Sequence, residues 1–420
     1  MQLLRHNPLY RTLLTSGAVS ALGDSIYYIA LLTYASRFPE PSLAILLVSL
    51  SETLPGVLSV FLGVLSDRTA VKARRLVATF WLRGGCCILI GLLMGLDSAW
   101  PLLAAIVLLN FVSDVTGKYA ASLQFPFMVQ VVEDRQLEQA SGLNSAVQRV
   151  MGVLSQWAGS FLILWFSFRT LAWLNGATFA AGGIMLGLVL KQLIQVEKKE
   201  PLKAEEGLTT ATAPFWNQLK QSVVMLAANK RVFPVVIQVT LVNAALFPLS
   251  ALFSMYAAAG DGFVLRSFSF SIALFSTVGS IGVILGNLAS AGLCKNTALG
   301  TIIGWSYGSV LGYCAGLFLQ MPLMALFMYT LACACVGLLS PKYGALFARN
   351  VDRQQLASVT GASQTLGNAG GPICNLLIGG MASGLSLDAG TLGVVILALV
   401  GFGFLLYPAR HGYTAPTREQ

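Results

Sequence analysis

The sequence predicts an all-α polytopic membrane protein, with twelve transmembrane helices in two pseudo-symmetric six-helix halves and both termini in the cytoplasm. Three observations carry this expectation. Of 420 residues, 56% are hydrophobic and 10% charged, with a mean hydropathy of +0.74, more apolar side chain than the interior of a soluble protein absorbs. Twelve segments approach the roughly 20 apolar residues that a helix needs to cross hydrocarbon. The chain also repeats itself at a nearly constant offset across its middle.

The expected spans are 11–36, 42–66, 76–97, 101–130, 140–166 and 169–190, then 231–258, 267–293, 298–319, 322–348, 356–383 and 388–408. Residues 1–190 thus form an N-terminal half, 191–230 a cytoplasmic linker, 231–408 a C-terminal half and 409–420 a cytoplasmic tail. The basic start "MQLLRHNPLYRTLL" mimics a signal peptide. The apolar run behind it continues past twenty residues without a small-residue cleavage site, so it reads as a retained first span. The gap opens with "KQLIQVEKKEPLKAEEG", the only long polar run, and reads as a linker carrying one interfacial helix around 215–228.

Basic residues test this layout, because short cytoplasmic loops accumulate Lys and Arg. Nineteen fall on the side of the N-terminus, and only Arg37, Arg169 and Arg266 fall opposite. That bias sets the orientation and accounts for the net charge of +9 without nucleic acid. The seven cysteines lie in apolar stretches with no CxxC pair and read as small buried hydrophobes.

The repeat is clearest where "EDRQLEQASGLNSAVQRVMG" (133–152) matches "VDRQQLASVTGASQTLGNAGG" (351–371). Asp134, Arg135 and Gln136 fall on Asp352, Arg353 and Gln354, and Gly142 and Gly152 on Gly361 and Gly371. The same offset, within a few residues, lays Gly63, Leu65 and Lys72 on Gly286, Leu288 and Lys295, while Asp67 meets Ser290. Two six-helix repeats about an axis along the membrane normal are an architecture of secondary transporters.

Charges inside hydrocarbon are costly, so each is a functional candidate. Seven remain once loops are set aside: Asp24, Glu52, Arg83, Asp114, Lys118, Arg149 and Lys342, six of them in the first half. Asp24 reads either as the N-cap of a locally broken helix beside Gly23 or as a cavity carboxylate that loads and releases a proton. Asp114 and Lys118, at i and i+4, share a helical face and form either a structural ion pair or part of a coupling path. Glu52 precedes Pro55 and points either into a cavity or at a neighbouring helix. Arg149 is a candidate counter-ion for Asp114 or Asp24. Arg83 and Lys342 read as snorkelling toward the cytoplasmic ends.

In the second half the polar candidates are uncharged: Asn243, beside Pro248, Phe253 and Tyr256, and Gln364, Asn368 and Asn375. There is no GxxxxGK[ST] phosphate loop, and both histidines, His6 and His411, sit in the terminal tails. Neither a catalytic constellation nor a metal site nor a cofactor is expected, and the protein does not read as an enzyme.

The segment "GVLSDRTAVKARR" (63–75) resembles the signature loop of the major facilitator superfamily, with Gly63, Leu65, Asp67, Arg68, Lys72, Arg74 and Arg75 in the family's order. Ala70 and Val71 stand where a Gly and a further base are usual. "SALGDSIYYIAL", "VEDRQLEQASGLNSAVQ" and "NAALFP" resemble the macrolide-efflux and enterobactin-exporter branch of its drug:proton antiporters. A Gly-rich element found in the fifth helix of such antiporters stands here in the eleventh span, as Gly367, Gly371 and Pro372, a helix-packing element. The place of a basic residue common in the fourth helix is taken by Ser113, next to Asp114.

The resemblance implies alternating access and proton-coupled export of a small lipophilic or amphiphilic compound, by a monomer in the inner membrane of a bacterium. Asp24, Asp114 and Glu52 become proton-coupling candidates, and Lys118, Arg149, Asn243, Gln364 and Asn368 candidates for cavity charge and substrate contact. Gly63, Asp67, Arg68 and Lys72 form a conformational latch, with Asp67 at the N-terminus of the eleventh helix near Ala357 in the outward-open state. Export of an endogenous siderophore is the alternative, and a lipid-handling membrane protein a third reading.

Overall fold

A computed structural model of the chain describes residues 7–67, 69–96, 99–132, 137–199, 224, 226, 227, 229, 232–260, 262–291, 293–350 and 356–410. Within them there are fourteen helices and no strand. The first seven are α1 Pro8–Ala35, α2 Pro41–Asp67, α3 Lys72–Leu93, α4 Trp100–Val131, α5 Leu137–Leu162, α6 Phe168–Leu188 and α7 Leu190–Lys199. The second seven are α8 Phe233–Leu246, α9 Leu249–Ala259, α10 Phe268–Ala291, α11 Leu299–Phe318, α12 Pro322–Asn350, α13 Leu356–Gly384 and α14 Leu387–Arg410.

Proline and small polar residues punctuate these helices as backbone chemistry requires. Pro8 and Pro101 sit in first turns, where a missing N–H costs nothing. Asn7 caps α1 by accepting from the Tyr10 N–H at 3.0 Å, and Ser167 caps α6 by accepting from the Thr170 N–H at 3.2 Å. Gly260 closes α9 with φ of 82°, a left-handed conformation that favours glycine.

One expectation needs correction. The seventh span is not one helix: it stops at Leu246 and restarts at Leu249, because Pro248 lacks the N–H that would continue the ladder. At the start of the expected 191–230 linker the chain is still helical. Residues 190–199 continue as α7, whose Leu193 is buried against α3 and α4. The interfacial helix expected at 215–228 lies almost wholly outside the described residues.

Nine spans, among the described residues, are long and apolar enough to cross a membrane. Of the remaining expected spans, α11 is helical throughout but diluted by Gly and Ser. Helices α5 and α13 contain residues whose side chains lie outside the description.

The chain divides into two compact units, one of Met1–Glu40 with Leu47–Glu206 and one of Pro41–Leu46 with Gly207–Gln420. In the first, Phe80 of α3, Phe127 of α4 and Phe179 of α6 pack with Leu13 of α1 into a buried cluster. In the second, aromatic rings stack in sequence, Phe253 on Phe275 at 4.7 Å and Phe275 on Tyr329 at 3.9 Å. Helices α10 and α12 approach so closely there that a Cβ on Gly286 would lie 2.0 Å from the Ala334 carbonyl oxygen, and one on Gly282 2.3 Å from that of Thr330. Small residues one turn apart bring backbones together where lipid supplies no hydrophobic drive between helices.

Gly286→Leu forces these two backbones apart. We expect a cost of about 1–3 kcal/mol, read as a lowered thermal midpoint in detergent. Gly63→Leu, at the repeat-related position, leaves that midpoint unchanged, because a Cβ added there meets no atom within 4 Å.

Candidate functional site

Polar groups from α1, α2, α3, α4 and α6 converge inside the first unit. Their centre is Arg83, three turns into α3, with a side chain only 9% exposed. A buried guanidinium must be paired and its donors used. Its Nη2 donates to Asp24 Oδ2 at 2.7 Å and lies 3.9 Å from Asp114 Oδ1. Nη1 donates to the Ser20 hydroxyl at 3.3 Å and Nε to that of Ser113 at 3.4 Å. The planar group lies over the Phe179 ring, 4.0 Å from its centroid. A Cβ on Gly117 would come within 2.9 Å of Arg83 Cζ, so glycine makes the room on α4.

A second polar hub is Asn110, buried on α4. Its amide nitrogen reaches the Ser51 hydroxyl at 3.0 Å, Asp114 Oδ2 at 3.0 Å and Glu52 Oε1 at 3.3 Å. Two hydrogens serve three acceptors, so Glu52 and Asp114 compete for one amide. Asp24 is held from its other side by Asn175 of α6, whose Nδ2 donates to Oδ1 at 3.3 Å. The exposures are graded: 37% for Asp24 and 18% for Asp114 against 9% for Arg83. The buried cation is therefore shared between two carboxyls that reach solvent-accessible space to different degrees.

The structure thus brings Asp24, Asp114 and Glu52 into one network. The third-helix arginine that organises it was expected at a helix end. That expectation fails because α3 starts at Lys72 rather than 76, which puts Arg83 about 16 Å down the helix at the standard rise per residue. The broken-helix reading of Asp24 fails as well, since α1 runs unbroken from Pro8 to Ala35. Asp114 and Lys118 form no ion pair: Asp114 turns to Arg83 and Asn110, while Lys118 is exposed. The partner of Asp24 is Arg83, and the side chain of Arg149, the expected counter-ion, lies outside the described residues.

At the turn before α3, Gly63 has open space around it. Arg68 lies outside the described residues, as does the Asp67 side chain. Lys72 is buried and donates from Nζ to the Ser66 carbonyl at 2.6 Å. Glu197 of α7 accepts from the Lys72 N–H at 2.7 Å and the Ala73 N–H at 3.3 Å, an acid on the positive end of α3. Thr69 and the Tyr119 hydroxyl pair at 2.7 Å and tie the turn to α4. Lys342 of the second unit donates to the carbonyls of Lys295 and Thr297, both at 2.8 Å, and so fastens the turn before α11.

The second unit holds a cavity of about 190 Å³ between α8, α12 and α13, lined by Val239, Thr240, Val242, Asn243, Val336, Leu339, Ser340, Tyr343, Ser363 and Gly367. Asn243 lies in this lining, and the Tyr343 hydroxyl pairs with that of Ser363. The side chains of Gln364 and Asn368 lie outside the described residues. A Cβ on Gly371 would meet the Phe247 ring at 2.5 Å, and Pro372 beside it is buried. Tyr256 and Phe253 are packing residues: Tyr256 donates to Asp388 Oδ1 at 3.0 Å and Phe253 sits in the aromatic stack. No group of three His, Cys, Asp or Glu able to hold a metal occurs among the described residues.

A family model described as the Major Facilitator Superfamily matches residues 13–374. No curated protein matches the chain. Similar solved structures include the nucleoside transporter NupG (TM-score 0.65, 13% identity, 97% of this chain and 100% of that one). The peptide transporter POT in complex with sulfate aligns at TM-score 0.67 and 11% identity, over 97% of this chain and 95% of that one. An inward-facing bacterial homologue of the iron transporter ferroportin aligns at 0.63 and 14%, over 94% and 98%. At such identities the likeness is one of fold.

Removing Arg83 strands Asp24, and removing both relieves the penalty. In a double-mutant cycle of Asp24→Asn and Arg83→Gln followed by thermal unfolding, we expect a coupling of about 1–3 kcal/mol, with the double variant more stable than Arg83→Gln alone.

Proposed function

This chain belongs to the Major Facilitator Superfamily, and we propose that within it the protein is a proton-coupled exporter of a small lipophilic or amphiphilic compound. The observation that carries the reading is the charge balance of the first unit. One guanidinium and three carboxyls share a single network, in which Arg83 contacts Asp24 and Asp114 and Asn110 links Asp114 to Glu52. Buried charge in excess is costly, so the carboxyls in excess of Arg83 are where protons can be carried. Asp24, the most exposed of the pair that Arg83 contacts, is the gate for those protons, and Asp114 the partner that takes the guanidinium when Asp24 is protonated. The 1.2 Å difference between the two Nη2 distances, 2.7 against 3.9 Å, is the shift such re-pairing needs to close.

The apolar walls of the second-unit cavity, interrupted by Thr240, Asn243 and Ser340, support a substrate held mainly by apolar contact. Fold does not choose the cargo: the similar structures are a nucleoside transporter, a peptide transporter and a bacterial homologue of an iron transporter. Export rather than uptake, and the macrolide-efflux and enterobactin-exporter branch, rest on the sequence resemblance of the first, fifth and seventh spans. We place the protein in the inner membrane of a bacterium as a monomer, with both termini and the 191–230 linker in the cytoplasm between halves 1–190 and 231–408. The 63–75 turn, with Gly63, Asp67, Arg68 and Lys72, is the latch that alternates with the transport cycle.

One observation favours the alternative of a siderophore or other anionic metabolite. Lys118 is exposed on α4 and forms no ion pair among the described residues, which leaves a cation for an anionic cargo.

Efflux from loaded cells of an efflux-deficient host, scored with and without a protonophore, tests the reading. Asp24→Asn and Asp114→Asn are expected to abolish the pH-dependent part while insertion is retained, and Lys118→Gln to leave it intact. Normal pH-dependent efflux in both Asp variants contradicts proton coupling through this cluster, and loss in Lys118→Gln alone selects the anionic cargo.

A further inference from the structure

The sequence leaves only three bases, Arg37, Arg169 and Arg266, on the side where Lys and Arg are disfavoured. Two of those three converge. Arg37, in the turn between α1 and α2, and Arg169, in the first turn of α6, line one cavity of about 430 Å³ at the same end of the first unit. The third wall is Gly95, just past α3, where a Cβ would lie 3.2 Å from Arg169 Nη1.

Each guanidinium is held by a ring rather than by an acid. Arg37 Cζ lies 4.6 Å from the Phe168 ring centroid and Arg169 Cζ 4.3 Å from that of Trp173. Stacking fixes the plane of an arginine and leaves its N–H fork free. Neither pairs with a carboxylate among the described residues, and Glu40, the nearest acid in sequence to Arg37, makes no ion pair there. The pocket also contains the start of α6, a helix of 21 residues whose N-terminus carries positive partial charge. Beside it Leu164, Trp165 and Phe166 are exposed to 67%, 84% and 49%. Such an apolar lip with a tryptophan belongs at the boundary between headgroups and hydrocarbon.

We propose that this pocket binds a phosphate group, with Arg37 and Arg169 as its two forks, and that the group is the headgroup phosphate of an anionic lipid whose acyl chains lie on Leu164, Trp165 and Phe166. Two arginines and a helix N-terminus match a tetrahedral oxyanion, since planar forks give bidentate charge-assisted bonds to it. The exposed apolar lip is what a lipid uses and a free ion does not. The site is separate from the Arg83 cluster and does not depend on the transport reading.

Native mass spectrometry of the purified full-length chain tests it, with phosphatidylglycerol, phosphatidylcholine and inorganic phosphate as probes. Wild type is expected to retain phosphatidylglycerol over phosphatidylcholine. The double variant Arg37→Gln/Arg169→Gln should lose about tenfold of that retention, the effect of roughly one lost charge-assisted contact, while Arg266→Gln keeps it. If the double variant does not purify folded, Arg37→Lys/Arg169→Lys keeps the charge, loses the fork and should still weaken retention. Arginine-dependent binding of inorganic phosphate without lipid selectivity supports the site and makes the free ion its ligand. Equal lipid retention by wild type and the double variant overturns the proposal.

Discussion

A guanidinium placed three turns deep in a membrane-spanning helix constrains everything around it. The Arg83 side chain is only 9% exposed, so the fold must provide the acceptors, the space and the counter-charge. Ser20 and Asp24 on α1, Ser113 and Asp114 on α4, the Phe179 face on α6 and the bare backbone at Gly117 answer those needs in turn. Because the contacts come from different helices, the cation is also a tie between them. Its two carboxyl partners are unequal, Asp24 at 2.7 Å and more exposed, Asp114 at 3.9 Å and less so.

Among the described residues the second unit forms no ion pair, and its buried Gln238, Tyr307 and Tyr313 pair with neutral groups. Tyr307 donates to Gln238 Oε1 at 2.9 Å, Gln238 in turn to the Gly401 carbonyl at 3.3 Å, and Tyr313 to the Leu249 carbonyl at 2.8 Å beside the Pro248 break. Neutral, satisfied pairs and glycine-mediated contact of α10 with α12 suit a packed body. Among the described residues the repeat visible in the sequence has therefore diverged in chemistry: the ion pairs lie in the first unit and none in the second. Gly286 packs against α12, whereas its repeat-related Gly63 faces open space.

Hydropathy made the helices legible, since each expected span is matched by helix within a few residues, save where Pro248 breaks the seventh. Depth was less legible. A four-residue error at the start of α3 moved Arg83 from the core to the rim and hid the organiser of the site, because periodicity marks a helix's face better than its end. Asp24, Asp114 and Glu52 were found because a charge in hydrocarbon is rare enough to notice singly. Asn110 and Asn175, which hold those carboxyls, give no such signal: a buried amide looks like any polar residue until its partners are known. Likewise the i, i+4 spacing of Asp114 and Lys118 allowed a pair that a better-placed cation on another helix took instead.

If one guanidinium balances only one of the carboxyls around it, the others carry exchangeable protons. Infrared difference spectroscopy of the protein in lipid across a pH step reads this directly, through the carbonyl stretch of protonated carboxylic acid. The expected band is present at low pH, lost on raising pH, and altered by Asp24→Asn, Asp114→Asn and Glu52→Gln. A pH-dependent band untouched by all three substitutions, or no band at any pH, would contradict proton exchange at Arg83.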